Sequence, residues 1–363
     1  MRYLLSIIFI ATHLGLLAQN VNKQYFPERK AANRVEMDLP EVNGYTVLRC
    51  DFHSHTVFSD GLVWPTYRIG EAWIQGLDVL AITDHIEYRP FKEYMGGDFN
   101  TSYELALPVA REYGIILIKG TEVTRKQGVI GHFNALFIKD ANAIDKPDPE
   151  EALQAAFDQG AYIMFNHPGW AVDTCLLTEF QQKMLDKGLV RGIEVFNHHE
   201  FYPRALSWSR DRKLTVFASS DIHATINDVM ETHVLQDAVK TFRPMTLVFV
   251  KEKSEDGIRE ALDERRTLAY FSNNVAGEEK WLKSLFLASV QWEKVSERGK
   301  SISYRVTNLS GIQYKFSIGA AEYILDGGAS IQISLPAGKR EVSLNVLNMH
   351  CYEGKHPEVS MVL

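Results

Sequence analysis

From residue 46 to residue 250 the chain alternates short apolar or β-branched runs with longer stretches of helical pattern, and this alternation narrows the available folds more than any other feature. The runs are TVLRCDF (46–52), DVLAIT (78–83), GIILIKG (114–120), FNALFI (133–138), AYIMFN (161–166), GIEVF (192–196), LTVFAS (214–219) and TLVFV (246–250). Helices are predicted between them over 65–75, 149–159 and 254–265. Pro65 suits a first helical turn, where a missing N–H costs nothing. Glu150 and Glu151 follow Pro149 at what would be the positive end of a helix dipole, and Ser254 is placed to cap the third. Strand then helix, repeated about seven times, predicts parallel βα units, and the length suits a closed barrel, with an open doubly wound sheet as the competing architecture. The expected fold class is α/β.

Near residues 273–279 the pattern changes. Beyond it come short alternating segments separated by turns at Gly299, Gly327-Gly328 and Gly338, with no helix evident. Such a stretch predicts a small antiparallel β-sandwich. The expected organisation is a signal peptide (1–19), an extended entry segment (20–45), a barrel (46–275) and a C-terminal β-sandwich (281–363). The signal reading rests on Arg2 followed by an apolar stretch from Leu4 to Ala18, shorter than the roughly 20 residues a membrane span needs. The mature chain is therefore expected to be exported, periplasmic or secreted, without a membrane span.

Composition excludes several classes. With 363 residues, 45% hydrophobic and 23% charged, the chain is neither disordered nor fibrous. Lys+Arg 39 against Asp+Glu 46 gives a net charge of −7, which lacks the diffuse positive charge of stable nucleic-acid binding. Three cysteines cannot build a disulfide framework, and no bridge is expected. Homo-oligomerisation is left open.

The strand ends carry the chemistry. Run one is followed by His53, His55 and Asp60, run two by Asp84 and His85, and run three by Glu122. His132 precedes run four, His167 follows run five, and Asp221 and His223 follow run seven. Six of twelve histidines thus lie with the carboxylates Asp60, Glu122 and Asp221 beside strand termini, and the C-terminal rim of a βα barrel gathers such residues into one place. Imidazole and carboxylate together are the donor set of borderline divalent metals. In an H-x-H pair leaving a strand both rings point the same way, so His53 and His55 can share an ion. Nine donors exceed what one ion takes, and two to three divalent ions (Zn, Mn or Fe) are expected.

HSHTVFSDG, AITDH, GTEVT, GHFN, NHPG and SSDIH, in this order, resemble the successive motifs of the PHP (polymerase and histidinol phosphatase) superfamily of metal-dependent phosphoesterases. The likeness covers roughly residues 47–271. The resemblance implies a distorted (β/α)7 PHP barrel and a trinuclear centre. His53, His55, Glu122 and Asp221 would hold one ion; Glu122, as a bridge, with His132 and His167 a second; and Asp60, His85 and His223 a third. An exported chain with TLVFVKEKSEDGIREALDERRTLAYF after the barrel is most similar to the branch of Sb-PDE-type phosphodiesterases.

The expected reaction is hydrolysis of a small-molecule phosphoester, diesters favoured over monoesters, by a metal-bridging hydroxide. Asp84 is a candidate to orient a ligand imidazole or shuttle a proton, with a capping or structural role as its alternative. Arg125, His198 and His199 are candidates for substrate contact or leaving-group protonation. Glu194 is read as structural, Tyr88, Phe91 and Tyr94 as pocket wall or packing, and Cys50 as a buried apolar residue. Hydrolysis of a carboxylic or carbamate ester, and a non-catalytic metal-binding or adhesive role, are the rival readings.

Overall fold

The computed structural model describes residues 34–125, 127–170, 175–226 and 242–363. The proposed signal segment and residues 20–33 of the entry segment lie outside them.

Short strands buried along their whole length build the centre. They run β1 (Thr46–Asp51), β2 (Val79–Ile82), β3 (Ile116–Val123), β4 (Phe133–Leu136), β5 (Tyr162–Phe165), β6 (Val190–Asn197), β7 (Glu200–Phe201), β8 (Thr215–Ser219), β9 (Met245–Val250), β10 (Thr267–Phe271) and β11 (Asn274–Gly277). Every residue of β2, β4, β5, β8 and β9 is buried, as in a sheet covered on both faces. The covering helices are α1 (Pro65–Ile74), α2 (Thr101–Tyr113), α3 (Pro149–Asp158), α4 (Glu179–Asp186), α5 (Pro203–Arg212) and α6 (Glu255–Asp263). Local chemistry starts several of them. Proline opens α1, the Asp148 carboxylate accepts the Glu150 and Glu151 amides at α3, Thr178 and Gln181 form a capping box at α4, and Ser254 accepts the Gly257 amide at α6. The proline removes one donor that a helix start leaves without a partner, and the three capping side chains satisfy others.

The C-terminal region holds α7 (Glu279–Ser289), β12 (Val290–Arg298), β13 (Ser301–Asn308), β14 (Tyr314–Ile318), β15 (Ala321–Leu325), β16 (Ser330–Pro336), β17 (Glu341–Val346), β18 (Met349–His350) and β19 (Glu358–Val362). The barrel sheet has the order β18-β11-β10-β9-β1-β2-β3-β4-β5-β6-β7, with β8 also beside β6. Pairing is parallel through β1-β2-β3 and β5-β6-β8. The expectation of uniform parallel βα units is corrected at β4, antiparallel to both neighbours, and at β9 and β10. Only nine residues join β3 to β4, too few for a parallel crossover of a dozen or more. The sheet curls until β8 meets β9 and β10, where side chains complete the contact: Thr246 Oγ1 accepts the Ala218 amide and donates to its carbonyl, each at 3.0 Å, and Thr267 Oγ1 donates to the Val216 carbonyl at 2.9 Å. Leu48, Cys50, Phe52, Met164, Phe217 and Val248 fill the inside, so polar donors are confined to the rim above this plug.

A second correction concerns residues 279–289, read as part of an alternating β stretch. They form α7, burying Trp281, Leu282, Leu285, Phe286 and Ser289, a helical spacing of three to four. Two antiparallel sheets follow, β12-β13-β16 and β15-β14-β17-β19, while β18 leaves them to pair with β11 of the barrel sheet. One apolar cluster runs from Leu247 and Phe249 through Phe286 to Phe316 and Leu344. Phe286 meets Tyr314 edge-on, with centroids 5.1 Å apart. Phe286→Ala is expected to cost about 3–5 kcal/mol and to move the denaturant midpoint of the whole chain. A midpoint equal to the wild type would contradict a core shared between barrel and C-terminal sheets.

Candidate metal centre

Two isolated parallel bridges carry strand pairing past the strand ends at the C-terminal rim. Ser54 pairs with Ile222, and His85 with Glu122. The His55 amide donates to the Ile222 carbonyl and the Asp221 amide to the His53 carbonyl, both at 3.0 Å. The loop after β1 and the loop after β8, about 170 residues apart in sequence, are thus laced side by side. Two buried arginines hold the lacing. Arg68 of α1 donates to the carbonyls of His55, Ile222, His223 and Ala224 while paired with Glu71 at 2.6 Å. Arg243 pairs with Asp51, whose other oxygen accepts the His53 and Ser220 amides.

Inside this frame Glu122, wholly buried, is surrounded by imidazoles. Its Oε2 lies 3.3 Å from His53 Nε2, 3.3 Å from His55 Nε2 and 3.2 Å from His85 Nδ1. Its Oε1 lies 3.0 Å from His132 Nδ1 and 3.7 Å from His167 Nε2, and accepts from Asn166 Nδ2 at 2.8 Å. Asp221 Oδ1 stands 3.1 Å from the Nε2 atoms of both His53 and His55, which are themselves 3.1 Å apart. Two donors on one ion at about 2.1 Å sit roughly 3.0–3.4 Å from one another, so these spacings suit a cation between them. Asp60 Oδ1 is 3.3 Å from His223 Nε2, and its Oδ2 is 3.6 Å from His85 Nε2.

Three groups of donors within reach of a single ion result: His55, Asp60, His85 and His223; His53, His55 and Asp221; and His53, Glu122 and His167. His132 stands beside the last, its ring centroid 4.6 Å from that of His167. The structure thus brings all nine predicted donors together. His55 Nε2 faces His53 and Asp221, while its Nδ1 lies 3.3 Å from the Ser59 hydroxyl and 3.8 Å from Asp60 Oδ1, so His55 stands between two of these groups. Asp60 Oδ1, His85 Nδ1, Glu122 Oε2 and His132 Nε2 are buried without hydrogen-bond partners. Among the described residues twelve buried side-chain atoms lack hydrogen-bond partners, and these four of them converge in the cage. Buried polar atoms almost always have partners, and imidazole nitrogen with carboxylate oxygen is the donor set of divalent ions, so the residues fit the ions their chemistry implies.

Electrostatics follow the same crowding. Burial disfavours charge on His53, yet Asp221, Glu122 and Glu194 together raise it well above the usual histidine value. His223 rises to about 9 against burial, through Asp60 and Asp221. Burial and the neighbouring His223 push His55 down to about 4, although Asp221 pulls the other way. Despite burial, His53 and its neighbours hold Glu122 and Asp221 well below ordinary carboxylates.

The other predicted residues divide. Asp84 does not touch an imidazole. It accepts the Thr56 amide, the Thr56 hydroxyl and the Ser59 hydroxyl at 2.6–2.8 Å, fixing the loop that carries His55 and Asp60. Arg125 turns to Asp145 (2.5 Å) and Glu87 (3.8 Å) and is not on the cavity wall. His198 lines the cavity over the donors, while its neighbour His199 packs edge-on against it, centroids 4.3 Å apart, and is off the wall. Tyr88 lines the cavity; Phe91 and Tyr94 do not. Glu194, read as merely structural, does more. Its Oε1 is 3.1 Å from His53 Nδ1, and its Oε2 accepts the His167 amide at 2.7 Å and Asn197 Nδ2 at 2.8 Å. It turns His53 Nε2 toward the cage. The signal was a carboxylate in the otherwise apolar GIEVF. Arg68 and Arg243 were also missed; Arg68 shares the buried face of α1 with Pro65, Ile69 and Ala72, where an arginine is a visible anomaly.

Fold and site define an α/β protein whose curled, barrel-like sheet carries a cluster of histidines and carboxylates of metal-donor type at its rim. The chain belongs to the family of PHP-like metal-dependent phosphoesterases. It is 37% identical to a two-domain protein of Bacteroides vulgatus described as containing a predicted PHP-like metal-dependent phosphoesterase, with a TM-score of 0.85 over 92% of this chain and 100% of that one. Two curated relatives match shorter stretches: an uncharacterised protein of Methanocaldococcus jannaschii, 37% identical over 79 residues, and a 5'-3' exoribonuclease of Haemophilus influenzae, 35% identical over 74. These alignments take in 21% and 20% of this chain, and 34% and 23% of the relatives' own length. No protein-family profile matches the chain.

Donors must shed their protons to bind metal, and His53 and His223 are raised. Metal uptake at pH 7 is therefore expected to release protons and to weaken as pH falls. Calorimetry in two buffers of different ionisation enthalpy checks this, and identical heats would refute it. Glu194→Gln is expected to cost roughly 10–100-fold in metal affinity, measured by competition with a chromophoric chelator. Unchanged affinity would leave Glu194 without its assigned role.

Proposed function

We propose that this protein is a metal-dependent phosphoesterase that hydrolyses phosphodiester bonds. The observation that carries the reading is the placement of Glu122, which faces His53, His55 and His85 with one oxygen and His132 and His167 with the other. A carboxylate so placed suits two ions at once. His53, His55, Glu122 and Asp221 would hold the first, Glu122, His132 and His167 the second, and Asp60, His85 and His223 the third. When bound, divalent ions would lower the pKa of water toward neutrality, making hydroxide available as the nucleophile, and would offset charge on the phosphoryl oxygens.

The chain's own residues do the rest. Glu194 and Asn166 fix the orientation of His53 and Glu122. Asp84, through Thr56 and Ser59, keeps the loop with His55 and Asp60 from shifting. Burial beside His199 keeps His198 below the ordinary histidine value, so at neutral pH it offers a single ring N–H toward a phosphoryl or leaving-group oxygen. Among the described residues no helix is long and apolar enough to cross a membrane. The apolar opening segment, outside those residues, supports export.

Purified protein supplied with Mn²⁺, Zn²⁺ or Fe²⁺ is expected to cleave p-nitrophenyl phosphodiesters faster than p-nitrophenyl phosphate, and p-nitrophenyl acetate slowest. Prolonged dialysis against a strong chelator is expected to abolish turnover, with recovery on adding metal back. Turnover of the acetate alone would transfer the site to carboxylic-ester chemistry.

A further inference from the structure

The cavity above the cage has a volume of about 810 Å³, within the range of roughly 300–1,000 Å³ that takes a drug-sized organic ligand and far more than a phosphoryl group fills. Two aromatic side chains on its wall remain open to solvent, Tyr88 at 56% and Trp170 at 52% exposure. Both stand directly against the cage. The Trp170 ring centroid lies 5.3 Å from that of His132 and 5.4 Å from that of His167, and the Tyr88 centroid lies 6.4 Å from that of His85.

The backbone that carries each ring is anchored to the cage or beside it. The Trp170 amide donates to the His167 carbonyl at 3.0 Å, so the turn carrying the indole starts at a metal donor. Gly169, inside that turn, has the Tyr202 ring 2.7 Å from where a Cβ would stand. Tyr88 follows Glu87, whose carboxylate accepts the Thr124 amide at 2.7 Å and its hydroxyl at 3.1 Å. Solvent-open aromatic faces beside a phosphate-binding centre offer stacking to a flat group joined to the phosphate.

We propose that Trp170 and Tyr88 form the binding face for a planar aromatic ring in the organic part of the substrate. Aryl and nucleoside phosphoesters, which share such a ring, are then the substrate class. The inference rests on the phosphoesterase reading and adds to it what the organic group must be. Stacking a ring on an aromatic side chain is worth a factor of roughly five to a hundred, whereas a puckered aliphatic ring of similar size gains apolar contact alone.

The test uses p-nitrophenyl phenyl phosphate and p-nitrophenyl cyclohexyl phosphate, which share charge and leaving group and differ in the flatness and electron demand of the retained group. Each kcat/KM ratio is therefore divided by the ratio of the two esters' rates of alkaline hydrolysis. With metal-loaded full-length protein, kcat/KM is expected to favour the phenyl ester by roughly tenfold. Trp170→Ala brings the ratio toward one and Trp170→Phe restores most of it. Tyr94→Ala, at a residue 84% exposed and off the cavity wall, leaves the ratio as in the wild type. Calorimetry gives a readout independent of turnover: phenylphosphonate binds more tightly than cyclohexylphosphonate, and Trp170→Ala removes the difference. Equal binding of the two phosphonates, a wild-type ester ratio near one, or a preference that survives Trp170→Ala overturns the aromatic face and leaves the phosphoesterase reading standing. Failure to cleave either diester or p-nitrophenyl phosphate in the presence of metal overturns both.

Discussion

A carboxylate with no exposed surface, packed among five imidazoles, is the constraint around which this molecule is arranged. Removing a carboxylate from water costs several kcal/mol unless opposite charge and hydrogen bonds replace the solvent. Glu122 accepts a hydrogen bond from Asn166 at 2.8 Å, meets His132 Nδ1 at 3.0 Å, and otherwise faces ring nitrogens that are themselves buried. Lone pairs of nitrogen and oxygen converging at about 3 Å repel unless a proton or a cation lies between them. Protons settle part of the conflict, as the raised His53 and His223 show. Divalent ions would settle it more fully, since each satisfies several donors together.

The surroundings keep that convergence from relaxing. Side-chain crowding of this kind would ordinarily spread the loops apart, yet the bridges Ser54–Ile222 and His85–Glu122 bind them through the backbone. Arg68 binds carbonyls of both loops, and Arg243 pairs with Asp51 at the end of β1, which accepts the His53 and Ser220 amides. Below them the apolar plug of Phe52, Met164 and Phe217 leaves no depth into which the donors could retreat. Rigidity at the rim and packing inside the barrel are thus two parts of one device.

The donors were legible in the sequence because each is local to a strand end: H-x-H, T-D-H, N-H-P and D-x-H announce themselves within a few residues, and a barrel topology then gathers them. What orients the donors was not legible. Glu194 lies 141 positions from His53, and Arg68 lies 154 positions from Ile222, whose carbonyl it holds in the loop after β8, so no local pattern reports either contact. Strand direction was equally hidden, because a four-residue run such as FNAL reads alike in a parallel or an antiparallel pair; only the short β3–β4 connection betrays the reversal. Residues 279–289 misled for another reason. Their apolar positions satisfy a strand period and a helix period together over so short a span, and packing of Trp281 on Phe249 decides for the helix.

The most direct measurement is anomalous X-ray diffraction at the manganese, iron and zinc edges, from crystals of protein purified without chelators. Two or three anomalous peaks between Glu122 and the surrounding His53, His167, Asp221, His85 and His223 side chains are the expected result. A cage free of anomalous density after growth and purification in metal-replete medium, with the same nine side chains in place, would contradict the claim that this convergence exists to hold cations.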